Sequence, residues 1–282
     1  MIDGAIVPPE HARVSVYDRG FLFGDSVFEV LRTYRGVPFA LDEHVARLRR
    51  SAERVLIAVP VDDGVLRSEI AGALLASNNE ESYIRVVVTR GIGPLSLDPD
   101  TAIQPLRVVL VAPLVLPPID AYAAGIRAVL VHTRRTADET SAAGAKVSNY
   151  LASLLAVREA KLRGGNEALI VDAYGHVVEG ATSNVFVVRN GRLATPPEEA
   201  GILAGITRAY IVEAAKYLGI PCEERPLPVA EIFDADEVFV TSTIRELLSV
   251  RNVDGRPIGA GSPGPVAQAL YRQFRRIVEP TG

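Results

Sequence analysis

The 282-residue sequence has one cysteine, Cys222, one methionine, no tryptophan and four histidines. A single cysteine excludes an intramolecular disulfide and any multi-cysteine metal site, and it fits a reducing cytoplasm best. His11, His44, His132 and His176 show none of the close pairings that hold a catalytic zinc, so no metal site is expected. Long hydrophobic runs are also missing. The most apolar stretch, Val108 to Ile119, is broken by Pro113, Pro117 and Pro118 and falls far short of the ~20 residues that span a bilayer. The opening MIDGAIVPPEHARV has neither a basic n-region nor an apolar h-region, and no signal peptide is read in it. Nor is positive charge in excess. The net charge of −4 and pI near 5.7 argue against nucleic acid or an anionic membrane as partner, although a local arginine cluster can still hold a small anion.

What is present is the composition of a globular protein, 48% hydrophobic and 23% charged, long enough for one large domain or two smaller ones. Asp3-Gly4 reads as a tight turn. SVFEVLRTY alternates as a strand, turns at Arg35-Gly36 and returns through Val37 to Leu41. Asp42 is positioned to cap a helix whose stripe is Val45, Leu48, Ala52 and Val55, with Arg47 and Arg50 off that stripe. Asp62 or Asp63 opens a second helix, and YIRVVVT and LRVVLVAPL read as strands around the loop TRGIGPLSLDPD. These locally connected elements predict a small α+β domain over residues 1–115, followed by a proline-marked linker over 116–125.

A larger C-terminal domain, residues 126–282, reads as a sheet with packed helices. Its strands are IRAVLVHTR, Glu167 to Val171, His176 to Glu179, Asn184 to Arg189 and Glu237 to Val240, with an Asn190-Gly191 hairpin turn and helices opening at Gly205-Ile206-Thr207 and Pro265.

Within it, AKVSNYLASLLAVREAKLRGG places Lys146 just ahead of a helix. Ser148 is the expected N-cap, Leu151, Leu154, Leu155 and Leu162 form an apolar stripe expected to be core, and Gly164-Gly165 stops the helix. A lysine in partly apolar surroundings loses solvation of its charged form, and its amine becomes a nucleophile able to form a Schiff base. Three further features of this domain form a pattern with it: Glu179 at the end of a strand before a Gly-Ala turn, the helix start AGITR, whose first N–H groups suit a phosphate, and VFVTST, a strand ending in hydroxyls. Each has an ordinary alternative when taken singly: a snorkelling lysine, a surface carboxylate, plain helix capping and an ST-turn.

Together with EHVARL, these stretches resemble the class IV aminotransferases, enzymes of fold type IV that use pyridoxal 5′-phosphate. The group includes branched-chain aminotransferases, D-amino-acid aminotransferases and aminodeoxychorismate lyases. The resemblance runs in order through DRGFLFGDSVFE, EHVARL, YIRVVVTRGIGPLSLDP, AKVSNYL, EALIVDAYGHVVEGATSNVFVV, GITR, ADEVFVTST and VDGRPIGAGSPGP. It implies a two-domain α+β fold like that of D-amino-acid aminotransferase, with Lys146 as the cofactor-linked lysine and proton-transfer base. Glu179 would face the pyridine nitrogen and Tyr150 the cofactor O3′. Arg47, Ile206, Thr207, Ser242 and Thr243 would hold the cofactor, the phosphate above all. Phe28, Val30, Tyr83, Arg85, Thr243 and Ile244 would meet the substrate.

The resemblance also implies a homodimer with its active site near the interface and amino and 2-oxo acids as substrates. Tyr83-Ile84-Arg85 and the GIGPLSLDP loop match the branched-chain group, and Leu95 stands where many D-amino-acid enzymes have arginine. Two departures point the other way: Val30 where branched-chain enzymes have glycine, and Ser242-Thr243-Ile244 in place of a G-T-A turn that binds carboxylate. The implied reaction is transfer between an aliphatic amino acid of branched-chain type and a 2-oxo acid such as 2-oxoglutarate, with a D-amino-acid aminotransferase or a lyase as the alternative.

Overall fold

A computed structural model describes residues 1–132 and 142–279. The chain divides into two units, Met1–Val115 with Ala145–Tyr150, and Leu116–Gly144 with Leu151–Gly282.

The first unit carries helix α1 (Arg19–Phe23), strands β1 (Ser26–Tyr34) and β2 (Val37–Pro38), helices α2 (Leu41–Arg54) and α3 (Asp63–Ser77), and strands β3 (Ser82–Thr89) and β4 (Arg107–Pro113). Its antiparallel sheet runs β2-β1-β3-β4. Arg35 and Gly36 both take positive φ, as a tight hairpin turn between right-twisted strands demands. Asp62 caps α3 by accepting the Val65 N–H at 2.8 Å. Helix α2 starts one residue before Asp42, from an Ala40 in the left-handed region, so Asp42 lies in the first turn, where its charge favours the helix dipole, instead of at the cap. Apolar residues of one sheet face and of α2 and α3, among them Val27, Leu31, Leu48, Leu66, Ile70 and Ile84, form the core.

The second unit begins where a bare linker was expected. A short helix, α4 (Ile119–Ala124), occupies most of residues 116–125. After it come β5 (Ile126–His132), α5 (Leu151–Leu162), β6 (Glu167–Val171), β7 (Val177–Gly180), β8 (Asn184–Arg189), β9 (Arg192–Thr195), α6 (Ile206–Tyr217), β10 (Cys222–Glu224), α7 (Val229–Asp234), β11 (Glu237–Ser242), β12 (Glu246–Val253), β13 (Arg256–Pro257) and α8 (Pro265–Val278). The expected strand IRAVLVHTR ends at His132, and its last two residues lie outside the described residues. The strands form one mixed sheet in the order β10-β9-β8-β11-β12-β5-β6-β7, with β13 on β12. Phe186 and Phe239 stack at 5.0 Å on neighbouring strands β8 and β11. Glu237 accepts the N–H groups of Val266 and Ala267 at 2.9 and 2.8 Å, which supplies α8 with its N-terminal acceptor. No described helix is long and apolar enough to cross a membrane.

Two expectations fail around Lys146. First, Ala145–Tyr150 packs with the first unit, not the second. It runs beside β1: the Phe28 N–H donates to the Lys146 carbonyl at 2.9 Å, Val27 bridges Val147, and the Ser148 N–H donates to the Ser26 carbonyl at 2.9 Å. The Ser148 backbone is thus paired with β1, and α5 begins only at Leu151, three residues on. Second, the leucine stripe of α5 is not core. Leu151, Leu154, Leu155 and Leu162 are 65, 63, 57 and 78% exposed. The helix instead turns Ala156 and Ala160 toward Val129, Val131 and Ala168, because small side chains let a helix approach a sheet closely.

Candidate active site

The residues expected at the site fall into two sets, one on each unit. In the first, antiparallel pairing of β1 with β3 puts Val30 opposite Arg85 and Arg32 opposite Tyr83. Alternation along the strands then gives Phe28, Val30, Tyr83 and Arg85 one face of the sheet, and Val27, Glu29 and Leu31 the face that meets α2 and α3. The buried Phe28 ring carries two cations: the Arg85 guanidinium carbon is 3.9 Å from its centroid and Lys146 Nζ 4.7 Å. Tyr150 packs edge-on against the same ring at 5.2 Å. The Lys146 N–H donates to Ser51 Oγ at 3.1 Å, which ties the lysine to α2.

Arg47, read from sequence as lying off the apolar stripe, is buried. It can be, because Glu29 faces it from β1 with 1% exposure and accepts Arg47 Nε and Nη2 at 2.7 Å each. His44 Nδ1 lies 2.7 Å from the same carboxylate. Burial pushes Glu29 upward, but the charge and hydrogen bonds of Arg47, aided by His44, outweigh it and bring the carboxyl down to about 2. Burial pushes His44 down, only partly offset by Glu29. Glu29 and His44 were missed from sequence. The signal was an acid on the inward face of an apolar strand and a histidine three positions before the arginine on one helix face.

Arg47→Ala strands a buried carboxylate. Fold stability should fall by ~3–5 kcal/mol, read by denaturant unfolding of apoprotein, together with retention of any cofactor phosphate. Adding Glu29→Gln should recover most of the stability and none of the retention. Equal phosphate-cofactor affinity in wild type and Arg47→Ala removes Arg47 from that role.

In the second unit, Glu179 lies on β7 opposite Ile170, and its Oε2 accepts the Leu203 N–H at 3.4 Å. The Leu203 carbonyl in turn accepts Asn184 Nδ2 at 2.9 Å, so the turn entering α6 is held at both ends of one residue. A side chain at Gly205 would collide with Asn184 Oδ1, which is why glycine precedes Ile206 and Thr207. Gly205 is the N-cap of α6 and makes no side-chain cap hydrogen bond, so this buried helix start lacks the side-chain acceptor that usually caps its first N–H groups. Ser242 is the last residue of β11, and Thr243 and Ile244 form the tip that follows it.

The family model described as amino-transferase class IV matches residues 26–253. The chain belongs to the class IV aminotransferases. A Methanocaldococcus jannaschii protein provisionally named a branched-chain-amino-acid aminotransferase is 40% identical over 98% of this chain and 95% of its own length. The D-alanine aminotransferase of Bacillus licheniformis is 31% identical over 99% and 96%. The crystal structure of the branched-chain aminotransferase of Thermoproteus uzoniensis with norvaline superposes with a TM-score of 0.91 at 35% identity, covering 99% of this chain and 93% of that one. This chain is therefore an aminotransferase of fold type IV, acting on amino and oxo acids, as the ordered set of sequence stretches implied.

Proposed function

We propose that this aminotransferase uses pyridoxal 5′-phosphate to exchange the amino group between an aliphatic amino acid of branched-chain type and a 2-oxo acid such as 2-oxoglutarate. The observation that carries the reading is the Phe28 face, where a lysine amine and an arginine guanidinium share one buried aromatic ring beside Val30 and Tyr83. An amine that takes and returns a proton, a cation for a distal carboxylate and an apolar wall are what an aliphatic amino acid and glutamate require in turn.

Each unit holds groups of the chemistry that the cofactor requires: the first an amine and an arginine, the second a carboxylate and an uncapped helix start suited to a dianion. When bound, that cofactor supplies the electron sink for the substrate Cα. In this reading Lys146 would be the residue to which the cofactor is joined and the base at the substrate Cα. Glu179 would face the pyridine nitrogen and Tyr150 the O3′. Arg47, the Ile206 and Thr207 N–H groups, Ser242 and Thr243 would hold the phosphate. Phe28, Val30, Tyr83 and Ile244 shape the side-chain pocket, and Arg85 receives the distal carboxylate.

The reading extends to a cytoplasmic homodimer. The compartment rests on the single cysteine, and the dimer on the outward leucine row of α5, on the same helix as Ala152 and Ser153, which line a groove of about 420 Å³ with Ile170, Tyr174 and Pro197. In the first unit, Arg19 binds the carbonyls of Ser96 and Leu97 and leaves Leu95 and Leu97 exposed.

The D-alanine aminotransferase relative and the Ser242-Thr243-Ile244 tip favour a D-amino-acid donor as the second reading. A donor comparison decides between them. L-leucine and L-isoleucine should bleach the cofactor band faster than D-alanine and D-glutamate, and a faster D-series replaces the first reading with the second.

A further inference from the structure

Glu179 and Asn184 flank one tight turn, around residues 180–183, that carries the chain from β7 to β8. The Gly180 N–H donates to the Ser183 carbonyl at 2.7 Å, and a side chain at Gly180 would run into Ser183 Oγ and crowd the Glu167 carboxyl. Glu167, 2% exposed on β6 and paired with Arg245, accepts the Ser183 hydroxyl at 3.0 Å and the Ala181 N–H at 3.2 Å. A buried carboxylate therefore pins the turn to the sheet. The spacing of the two residues beside the turn is pinned with it.

Both of these residues reach the same point of another segment. Glu179 Oε2 accepts the Leu203 N–H at 3.4 Å, and Asn184 Nδ2 donates to the Leu203 carbonyl at 2.9 Å. The first bond is long and the second is of ordinary length, so the amide holds the segment more firmly than the carboxylate does. Asn184 is 5% exposed, and its Oδ1 fills the space of the side chain that Gly205, the N-cap of α6, lacks. Across the ladder on β11, the buried Thr241 hydroxyl makes no hydrogen bond among the described residues, so the Asn184 amide is not shared with it. One short side chain thus touches both the residue that meets Glu179 and the residue that opens α6.

We infer that Asn184 is a positioning residue: it holds the start of α6 at a set span from Glu179, so that both can engage one rigid cofactor, Glu179 at its ring and α6 at its phosphate. This rests on the proposed roles of Glu179 at the pyridine nitrogen and of Ile206 and Thr207 at the phosphate. Two anchors reinforce each other on a rigid ligand only where their separation matches its own. A helix start that could drift would let one anchor be met and the other missed. Asparagine suits the task because its amide sits on a short stem, with less rotamer freedom to lose than a longer side chain has.

The test uses the full chain freed of cofactor, as wild type, Asn184→Ala and Asn184→Leu. The first readout is the dissociation constant of pyridoxal 5′-phosphate, the second is that of inorganic phosphate in competition with it, and the third is melting temperature. Asn184→Ala should weaken pyridoxal 5′-phosphate about tenfold, the effect of one lost buried hydrogen bond. Inorganic phosphate, which meets the α6 start and has no ring for Glu179, should stay within about twofold of wild type. Asn184→Leu keeps the volume beside Gly205 and loses the donor; it should match the alanine variant, and it carries the test alone where that variant does not fold. Equal weakening of both ligands makes Asn184 part of the phosphate site and overturns the inference. Unchanged affinities with a lower melting temperature make it a structural residue only and overturn it as well. Wild type that binds no inorganic phosphate refutes the underlying reading of the α6 start, an outcome distinct from failure of the spacing.

Discussion

Lys146→Ala should abolish transamination while leaving the fold in place. Loss of a positioned acid–base group alone removes ~10²–10⁴-fold in rate, and here the same amine is the proposed covalent anchor of the cofactor, so turnover should fall at least that far. The fold should survive because the segment is held by its backbone. The Lys146 carbonyl accepts the Phe28 N–H, its N–H donates to Ser51 Oγ, and Val147 bridges Val27, none of which needs the side chain. The lysine side chain gives up its contact with the Phe28 ring, which Arg85 and Tyr150 still cover. Steady-state kinetics with a thermal melt check it. Activity within about tenfold of wild type would remove Lys146 from the chemistry.

The second large effect is expected at Glu179. Glutamine keeps the size of the side chain and an oxygen for the Leu203 N–H, and it removes the negative charge that would hold a proton on the pyridine nitrogen. Each ~1.4 kcal/mol of transition-state stabilisation is tenfold in rate, so loss of a fixed charge at the electron sink should slow the single-turnover step by ~10²-fold or more. Cofactor content should stay near wild type, since the Arg47 pair and the α6 start are untouched. The reverse pattern, cofactor lost and chemistry unchanged in the holoenzyme that remains, would assign Glu179 to binding.

Much of the fold was legible because local chemistry agrees with the tertiary result. The alternation of SVFEVLRTY and YIRVVVT gives β1 and β3, Arg35-Gly36 and Asn190-Gly191 mark hairpin turns by their tolerance of positive φ, and Asp62 caps α3. The leucines of α5 show the limit of such reading. Helical spacing says that a face is apolar and cannot say which surface covers it, and here alanines face the sheet while the leucines face outward. Lys146 was placed in the wrong unit for a similar reason. Its neighbours in sequence form α5, but Val147 and Ser148 are claimed by the open edge of β1, a partner more than a hundred residues earlier.

For the proposed site, the ordered set of stretches, not any single motif, points to Arg47, Glu179 and the GITR helix start. The groups that hold them were invisible for want of sequence proximity. Glu29 pairs with an arginine 18 positions on, and Glu167 with one 78 positions on. A charge inside an apolar strand signals a buried partner without naming it.

The central claim is that Lys146 is the residue to which the cofactor is joined. Borohydride reduction of the purified protein followed by peptide mapping tests it most directly. A single reduced pyridoxyl label on the peptide containing Lys146 is expected, and label on Lys161 or on any other lysine contradicts it.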